Sequence, residues 1–343
     1  FPKGVVRNHL FLRNQVDRVR ILGTTELDIM YNYLPLFHIF GYLDGPMLSM
    51  ATGNKQILVE TFDPEACLDA VEAEGVSQFS GFETHMKGLV EAQKRHARDL
   101  SSLRIGIFGA GTNSAVPIMR EGLEVLKPFR PITAYGMTEI GGNACLSFMD
   151  SNDEQICETS GRPCDGFDFR VIDPDTGQEQ PFDVSGEIVL KSYNVMTCYY
   201  KKPEETAKAY NADGWFLTGD MGYMRADGFL RFLGRYKDML KIGGENVDPM
   251  EVEAYLQGHP DVAETAVIGH PDERLTEVAI AFIAPRPGRT PSEDDILAFC
   301  RGKIASFKIP RHIIFISRLP MTSTGKVRKV DLREQALTTL ENI

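Results

Sequence analysis

The sequence predicts an α/β chain: a doubly wound parallel-sheet subdomain, then an antiparallel, barrel-like β subdomain, then a small α+β domain. Three observations carry that reading. Between about residues 55 and 135, short apolar runs alternate with helical ones, the signature of strands wound with helices into a parallel sheet. After about 165, strand-like runs are separated by Gly-, Asp- and Pro-rich turns, which favours antiparallel pairing. Past Asp238, helical and strand-like runs mix again. A length of 343 residues fits about two domains at roughly 150 residues each. We place the large domain at 1–237, split into 1–165 and 166–237, and the small one at 238–343.

The elements follow in order. Gln56 to Glu60 alternates as a strand. Pro64 to Glu74 reads as a helix, with Asp63 as N-cap and proline in the first turn. Val76 to Phe79 is expected as a strand, Glu83 to His96 as a helix, Leu103 to Phe108 as a strand and Val116 to Leu126 as a helix. Phe167 to Ile172, Gly186 to Leu190 and Gly228 to Phe232 are strands, the first followed by the turn Asp173-Pro174-Asp175-Thr176-Gly177. The last unit carries helices over Pro249 to Gln257 and Glu293 to Ile304. Its strands lie near Thr265 to Ile268, Val278 to Ala284 and His312 to Ile316. No internal repeat or low-complexity segment interrupts the chain.

Composition narrows the function. Hydrophobic residues at 43% and charged ones at 25% mark a globular chain. No apolar run approaches the ~20 residues that span a bilayer, so no integral membrane segment is expected. The 37 basic and 48 acidic residues give a net charge of −11, which argues against nucleic acid as partner. Between Arg301 and Arg333, however, nine Lys or Arg face one acid, Asp331. That face is either a solvated basic surface or one that receives polyanions. Six cysteines without Cys-x-x-Cys spacing point to reduced thiols in a cytoplasmic protein. A homodimer is compatible with all of this.

Gly109-Ala110-Gly111 follows the apolar run Arg104 to Phe108, at the edge where doubly wound sheets hold ligands. Small residues there admit a flat base, although taken alone they are better explained by a plain strand-to-helix turn. Four further segments stand out: Tyr135-Gly136-Met137-Thr138-Glu139; Thr218-Gly219-Asp220 with Arg235 fifteen positions on; Asp238 to Val247, containing Gly243-Gly244-Glu245-Asn246; and Pro320 to Lys329, with Lys326 in Thr324-Gly325-Lys326.

Together these segments resemble the adenylate-forming acyl-CoA synthetases, and the resemblance runs from Phe1 to Lys329. It implies an ATP-dependent, AMP-forming ligase that joins a small carboxylic acid, expected to be a fatty acid, to coenzyme A. ATP and Mg2+ would serve the first step and coenzyme A the second. By resemblance, Lys3, Gly109, Ala110, Gly111, Tyr135, Gly136, Thr138, Asp220 and Arg235 bind nucleotide. Tyr135 would stack on adenine, Thr138 reach the α-phosphate, and Asp220 with Arg235 grip the ribose. Glu139 would bind the metal, which prefers hard oxygen ligands. Asp238 would be the hinge that makes the small domain mobile. Gly243 and Gly244 would lie where the arm of coenzyme A passes, since a missing Cβ leaves room. Lys326 would be the catalytic lysine, 88 positions past the hinge (326 − 238). His38 resembles an aromatic gate beside the acyl pocket, with a packed core histidine as the alternative. Ser80 to Met86 departs from the usual proline-rich turn near that pocket and blurs the choice of acid.

Phe1-Pro2-Lys3-Gly4 resembles the end of the family's phosphate loop without its Ser/Thr/Gly run, so this fragment is expected to be impaired in catalysis. Competing readings are an adenylation domain that loads a carrier protein, and a non-catalytic nucleotide-binding protein. A luciferase-like oxidation is also distinguishable, by light emission. The Gly-Gly-Glu-Asn-Val run favours coenzyme A over a carrier, because carrier-loading modules usually show Arg-Ile-Glu there.

Overall fold

Asp63 and Pro64 illustrate how local chemistry places the elements. The Asp63 carboxylate accepts from Ala66 N at 3.0 Å, and proline, which has no N–H to lose, opens the helix. The computed structural model describes residues 3–109, 115–322 and 327–340. The chain forms two compact units, Phe1–Phe232 and Leu233–Ile343, each with its own core.

The first unit opens with β1 (Val5–Val6), α1 (Phe11–Leu22), β2 (Ile29–Asn32) and β3 (Lys55–Leu58), the last two paired in parallel. Next come α2 (Pro64–Glu74), β4 (Gly81–Phe82), α3 (Glu83–Arg95), β5 (Ile105–Gly109), α4 (Val116–Val125) and β6 (Arg130–Met137), with β4, β5 and β6 parallel. The strand expected over Val76 to Phe79 is reduced to one bridging residue, Gln78. It links β2 to β5 by isolated parallel bridges, while Ser77 O accepts from Arg104 N at 2.9 Å.

Beyond β6 the sheet turns antiparallel through β7 (Gly142–Leu146) and β8 (Arg162–Pro163). There follow β9 (Phe167–Ile172), β10 (Gly186–Ser192), β11 (Cys198–Tyr199), β12 (Phe216–Met224) and β13 (Leu230–Arg235). Strand β11 pairs with β1, and the other four form an antiparallel sheet in the order β13-β12-β10-β9. Among the described residues this sheet stays open. Four strands are too few to close the barrel-like subdomain that the sequence suggests. Trp215 is buried against Ile172 and Val189, with Arg170 and Lys191 over its ring at 4.4 and 4.7 Å.

Helix α1 is inverted relative to simple amphipathic logic. Asn14, Gln15 and Arg18 are buried while Leu12 and Val16 are exposed. Arg18 pairs with buried Asp44 at 3.0 Å, and Asn143 donates to the same carboxylate at 3.1 Å.

In the second unit, β14 (Leu240–Ile242) and β15 (Glu245–Val247) form a hairpin, followed by α5 (Pro249–Gln257). Then β16 (Val262–Asp272) pairs antiparallel with β17 (Thr276–Pro285). After α6 (Glu293–Cys300), β18 (His312–Phe315) adds to β17 in parallel, and α7 (Lys329–Leu340) packs on β16.

Candidate active site

Strand β6 carries Tyr135 and Gly136 to the head of a 3-10 turn, Thr138–Ile140. The Tyr135 ring is buried, 6.2 Å from Phe169 and 5.9 Å from Phe232, and its hydroxyl donates to Asp220 Oδ2 at 2.7 Å. Burial, reinforced by the Asp220 charge, pushes the phenol pKa well above its usual value. Two residues 85 positions apart thus share one hydrogen bond. Asp220 is held in β12 by its own N–H, which donates to Thr218 Oγ1 at 3.0 Å. Thr218 in turn donates to Ile188 O at 2.6 Å. Gly136 faces the backbone of β7 so closely that a Cβ would lie 2.0 Å from Gly142 O, so only glycine fits.

The turn carrying Thr138 and Glu139 is stitched to two distant segments. Arg7 Nη1 donates to Thr138 O at 3.0 Å, and Arg7 Nη2 donates to Asn194 O at 2.8 Å. Met196 N donates to Glu139 O at 2.7 Å. The Glu139 carboxylate accepts from the Tyr199 hydroxyl at 2.8 Å, and Lys3 Nζ stands 3.9 Å from the Tyr199 ring centroid. Lys3 and Glu139 therefore meet at one tyrosine, which sequence reasoning did not single out. Among the described residues no cluster of three or more His, Cys, Asp or Glu could hold a metal. Glu139 would be a lone protein ligand, which suits Mg2+, an ion that keeps several waters and takes other oxygens from substrate phosphates.

Gly109 ends β5 in register with Phe82 of β4. Ala110 and Gly111 lie outside the described residues. His38 caps the short helix Ile39–Tyr42, its Nδ1 accepting from Phe40 N at 3.2 Å. Phe40 meets Phe82 edge-on at 5.3 Å. Beyond Phe82 lies an aromatic cluster: His85 sits 5.0 Å from Tyr33 and 4.7 Å from Phe62. His85 Nδ1 accepts from Phe82 N at 3.0 Å, and burial pulls its pKa down to about 4, so the ring is neutral at physiological pH.

In the second unit, Arg235 is exposed at the end of β13. Asp238 closes a 3-10 turn and lies 3.7 Å from Arg333. Gly243 and Gly244 form the two-residue turn between β14 and β15, with φ of +61° and +91°. Two successive positive φ values match the turn that suits a right-twisted hairpin. Lys326 lies outside the described residues.

The family model of the AMP-binding enzyme matches residues 1–200, and that of the AMP-binding enzyme C-terminal domain matches 251–326. The chain belongs to the AMP-binding enzyme family. Among its AMP-binding relatives is 3-[(3aS,4S,7aS)-7a-methyl-1,5-dioxo-octahydro-1H-inden-4-yl]propanoyl:CoA ligase of Rhodococcus jostii, 38% identical over 340 residues that cover 97% of this chain and 62% of that protein. The mitochondrial medium-chain acyl-CoA ligase ACSF2 of Bos taurus is 32% identical, over 97% of this chain and 55% of its own length. The chain thus spans about three fifths of the curated relatives it matches. Among solved structures, ATP-bound MatB from Rhodopseudomonas palustris superposes with a TM-score of 0.89 at 30% identity, covering 97% of this chain and 65% of that one. O-succinylbenzoate coenzyme A synthetase (MenE) of Bacillus subtilis, in complex with AMP, gives 0.84 at 30% identity, covering 97% and 66%.

Proposed function

We propose that this AMP-binding enzyme is an acyl-CoA ligase that activates a carboxylic acid with ATP and passes the acyl group to coenzyme A. The observation that carries the reading is that Lys3 and Arg7 are brought to the turn that bears Thr138 and Glu139, Arg7 through the Thr138 carbonyl and Lys3 through the Tyr199 ring that also holds the Glu139 carboxylate. In the first step a carboxylate oxygen of the acid attacks the α-phosphorus of ATP and pyrophosphate leaves. In the second the sulfur of coenzyme A attacks the acyl carbonyl and AMP leaves. Lys3 and Lys326 supply fixed positive charge where negative charge develops, the kind of contact worth several kcal/mol in a dry site. Glu139 would hold Mg2+, which neutralises phosphate charge. Asp220 and Arg235 take the ribose, Tyr135 and Gly109 to Gly111 border the base, and Asp238 is the hinge between a large domain at 1–237 and a small one at 238–343. Gly243 and Gly244 leave a path for coenzyme A.

For the acid, a fatty or alicyclic chain is favoured over a charged one. The cluster of Tyr33, Phe62, Phe82 and neutral His85 beside the His38 segment is aromatic, and none of these four rings carries a charge. A cytoplasmic setting fits six free thiols, and no helix among the described residues is long and apolar enough to cross a membrane.

The test is ATP–pyrophosphate exchange with a panel of carboxylates, followed by thioester formation. In a protein that carries the whole phosphate loop, exchange is expected with apolar acids, and Lys326→Ala there should lower it about 10²-fold or more. The same variant should form thioester from supplied acyl-adenylate at close to the parental rate. Transfer to an amine or a carrier protein in place of coenzyme A would overturn the acceptor, and AMP binding without exchange in a protein with the whole phosphate loop would overturn catalysis.

A further inference from the structure

We propose that Tyr199 is a positioning residue for the phosphate side of this site, its hydroxyl orienting Glu139 and its ring seating Lys3; the role in catalysis rests on the adenylation reading above. A glutamate on a half-exposed turn has several rotamers open to it, and fixing one costs entropy. A phenol O–H donated to a carboxylate is a charge-assisted bond, among the stronger kinds, and the 2.8 Å contact here fastens Oε1. Among the described residues the Tyr199 hydroxyl is the one hydrogen-bond donor to the Glu139 carboxylate, whose charge also faces Arg7, and Oε2 takes no hydrogen bond. Over the ring face, an ammonium 3.9 Å from the centroid is well inside the ~6 Å range of a cation–π contact.

Tyr199 can do this because its own backbone is pinned. Its side chain is buried, its N–H donates to Thr206 Oγ1 at 2.9 Å, and it pairs with Val5 across β11 and β1. Flanking bonds continue the seam: Tyr200 N to Gly4 O at 2.7 Å and Thr197 N to Val6 O at 2.9 Å. The segment that brings Lys3 is therefore sewn to the segment that aims Glu139.

The test separates hydroxyl from ring. Mn2+ stands in for Mg2+, and its binding to the protein with ATP present is read by electron paramagnetic resonance, independent of turnover. Tyr199→Phe should weaken Mn2+ binding about 10-fold, the usual scale for losing a residue that orients a metal ligand. It should leave ATP affinity without metal unchanged. Tyr199→Leu should also weaken metal-free ATP binding severalfold, by releasing Lys3. In a protein already carrying Glu139→Gln, the Tyr199→Phe change should cost nothing further, because the two share one interaction. Tyr200→Phe, at an exposed neighbour, serves as control. A well-folded Tyr199→Phe protein that binds Mn2+ like the parent overturns the proposal, as does an equal loss when Tyr199→Phe is added to Glu139→Gln. Pyrophosphate exchange by a parent with the whole phosphate loop tests the adenylation reading separately. If exchange is absent while Tyr199→Phe still weakens Mn2+ binding, the reaction falls and the positioning role stands.

Discussion

Arg18 and Asp44 bury opposite charges 3.0 Å apart beneath the Thr138 turn, and Arg18 Nη2 reaches Gly141 O at 3.5 Å. Removing one partner of a buried pair strands the other charge. Asp44→Ala should therefore destabilise the protein by about 3–5 kcal/mol. Replacing both partners with apolar residues of similar size should restore much of the loss. Chemical denaturation of the single and double variants decides this, and a single variant within 1 kcal/mol (about a fivefold change in the unfolding constant) of the parent would contradict it. Such residues are hard to read from sequence. Tyr135, Thr138, Glu139 and Asp220 sit in short spellings that stand out in the sequence, although their contacts too are distant, whereas Arg18 and Tyr199 stand in no such spelling and meet segments tens to hundreds of positions away. Helix α1 even misleads, because Leu12 and Val16 face out while Arg18 faces in.

At the scale of elements, local chemistry is a better guide. Helices α2 and α5 run over the same residues in sequence and structure because Asp63 and Asp248 cap them and proline follows each cap. Val76 to Phe79 is harder, since a strand reduced to one bridging residue has no periodicity to read. Asp248 yields a pH prediction. Burial raises its carboxyl from 3.8 to about 6, so the folded state binds a proton more tightly than the unfolded chain. Its stabilising contribution is full below about pH 4 and is lost as pH rises through 6. Asp248→Asn keeps an oxygen for the Met250 N–H and removes the charge, so it should gain about 2–3 kcal/mol over the parent at pH 8 but little at pH 4. Equal denaturation midpoints at both values would refute this.

The β14–β15 hairpin yields another. Among the described residues no atom lies within 4 Å of where a Cβ on Gly244 would sit, but its φ of +91° strains any branched side chain. Gly244→Leu should lose about 1–2 kcal/mol of stability, and Gly244→Asn, more at ease with positive φ, should lose less. If the hinge swings this turn toward coenzyme A, Leu should slow thioester formation about 10²-fold. Pyrophosphate exchange should stay within a fewfold of the parent's (a shift in barrier under about 1 kcal/mol). A folded Leu variant that makes thioester at the parental rate would remove Gly244 from the path.

Over the whole molecule, the cores of Phe1–Phe232 and Leu233–Ile343 share no residue. Units with separate cores commonly unfold separately. Calorimetry should resolve two transitions, and one transition with matching calorimetric and van't Hoff enthalpies would show coupling instead. The edge between the units carries little compositional mark, because it falls inside β13, a continuous strand from Leu230 to Arg235. Motif resemblance puts the division at 237/238, while compactness places it five residues earlier. The turn-rich texture after residue 165 is legible because Asp, Pro and Gly mark turns wherever they cluster.

The chain contains one tryptophan, Trp215, buried in the four-stranded sheet five residues before Asp220 and flanked by Arg170 and Lys191. Intrinsic emission excited at the red edge is therefore a single-site signal from the large unit. Opening that sheet would wet the indole and release it from two cations, while melting of the small unit need not change its colour at all. Denaturation curves for Asp248 and Gly244 variants followed by fluorescence alone would miss the event of interest, and circular dichroism must accompany them.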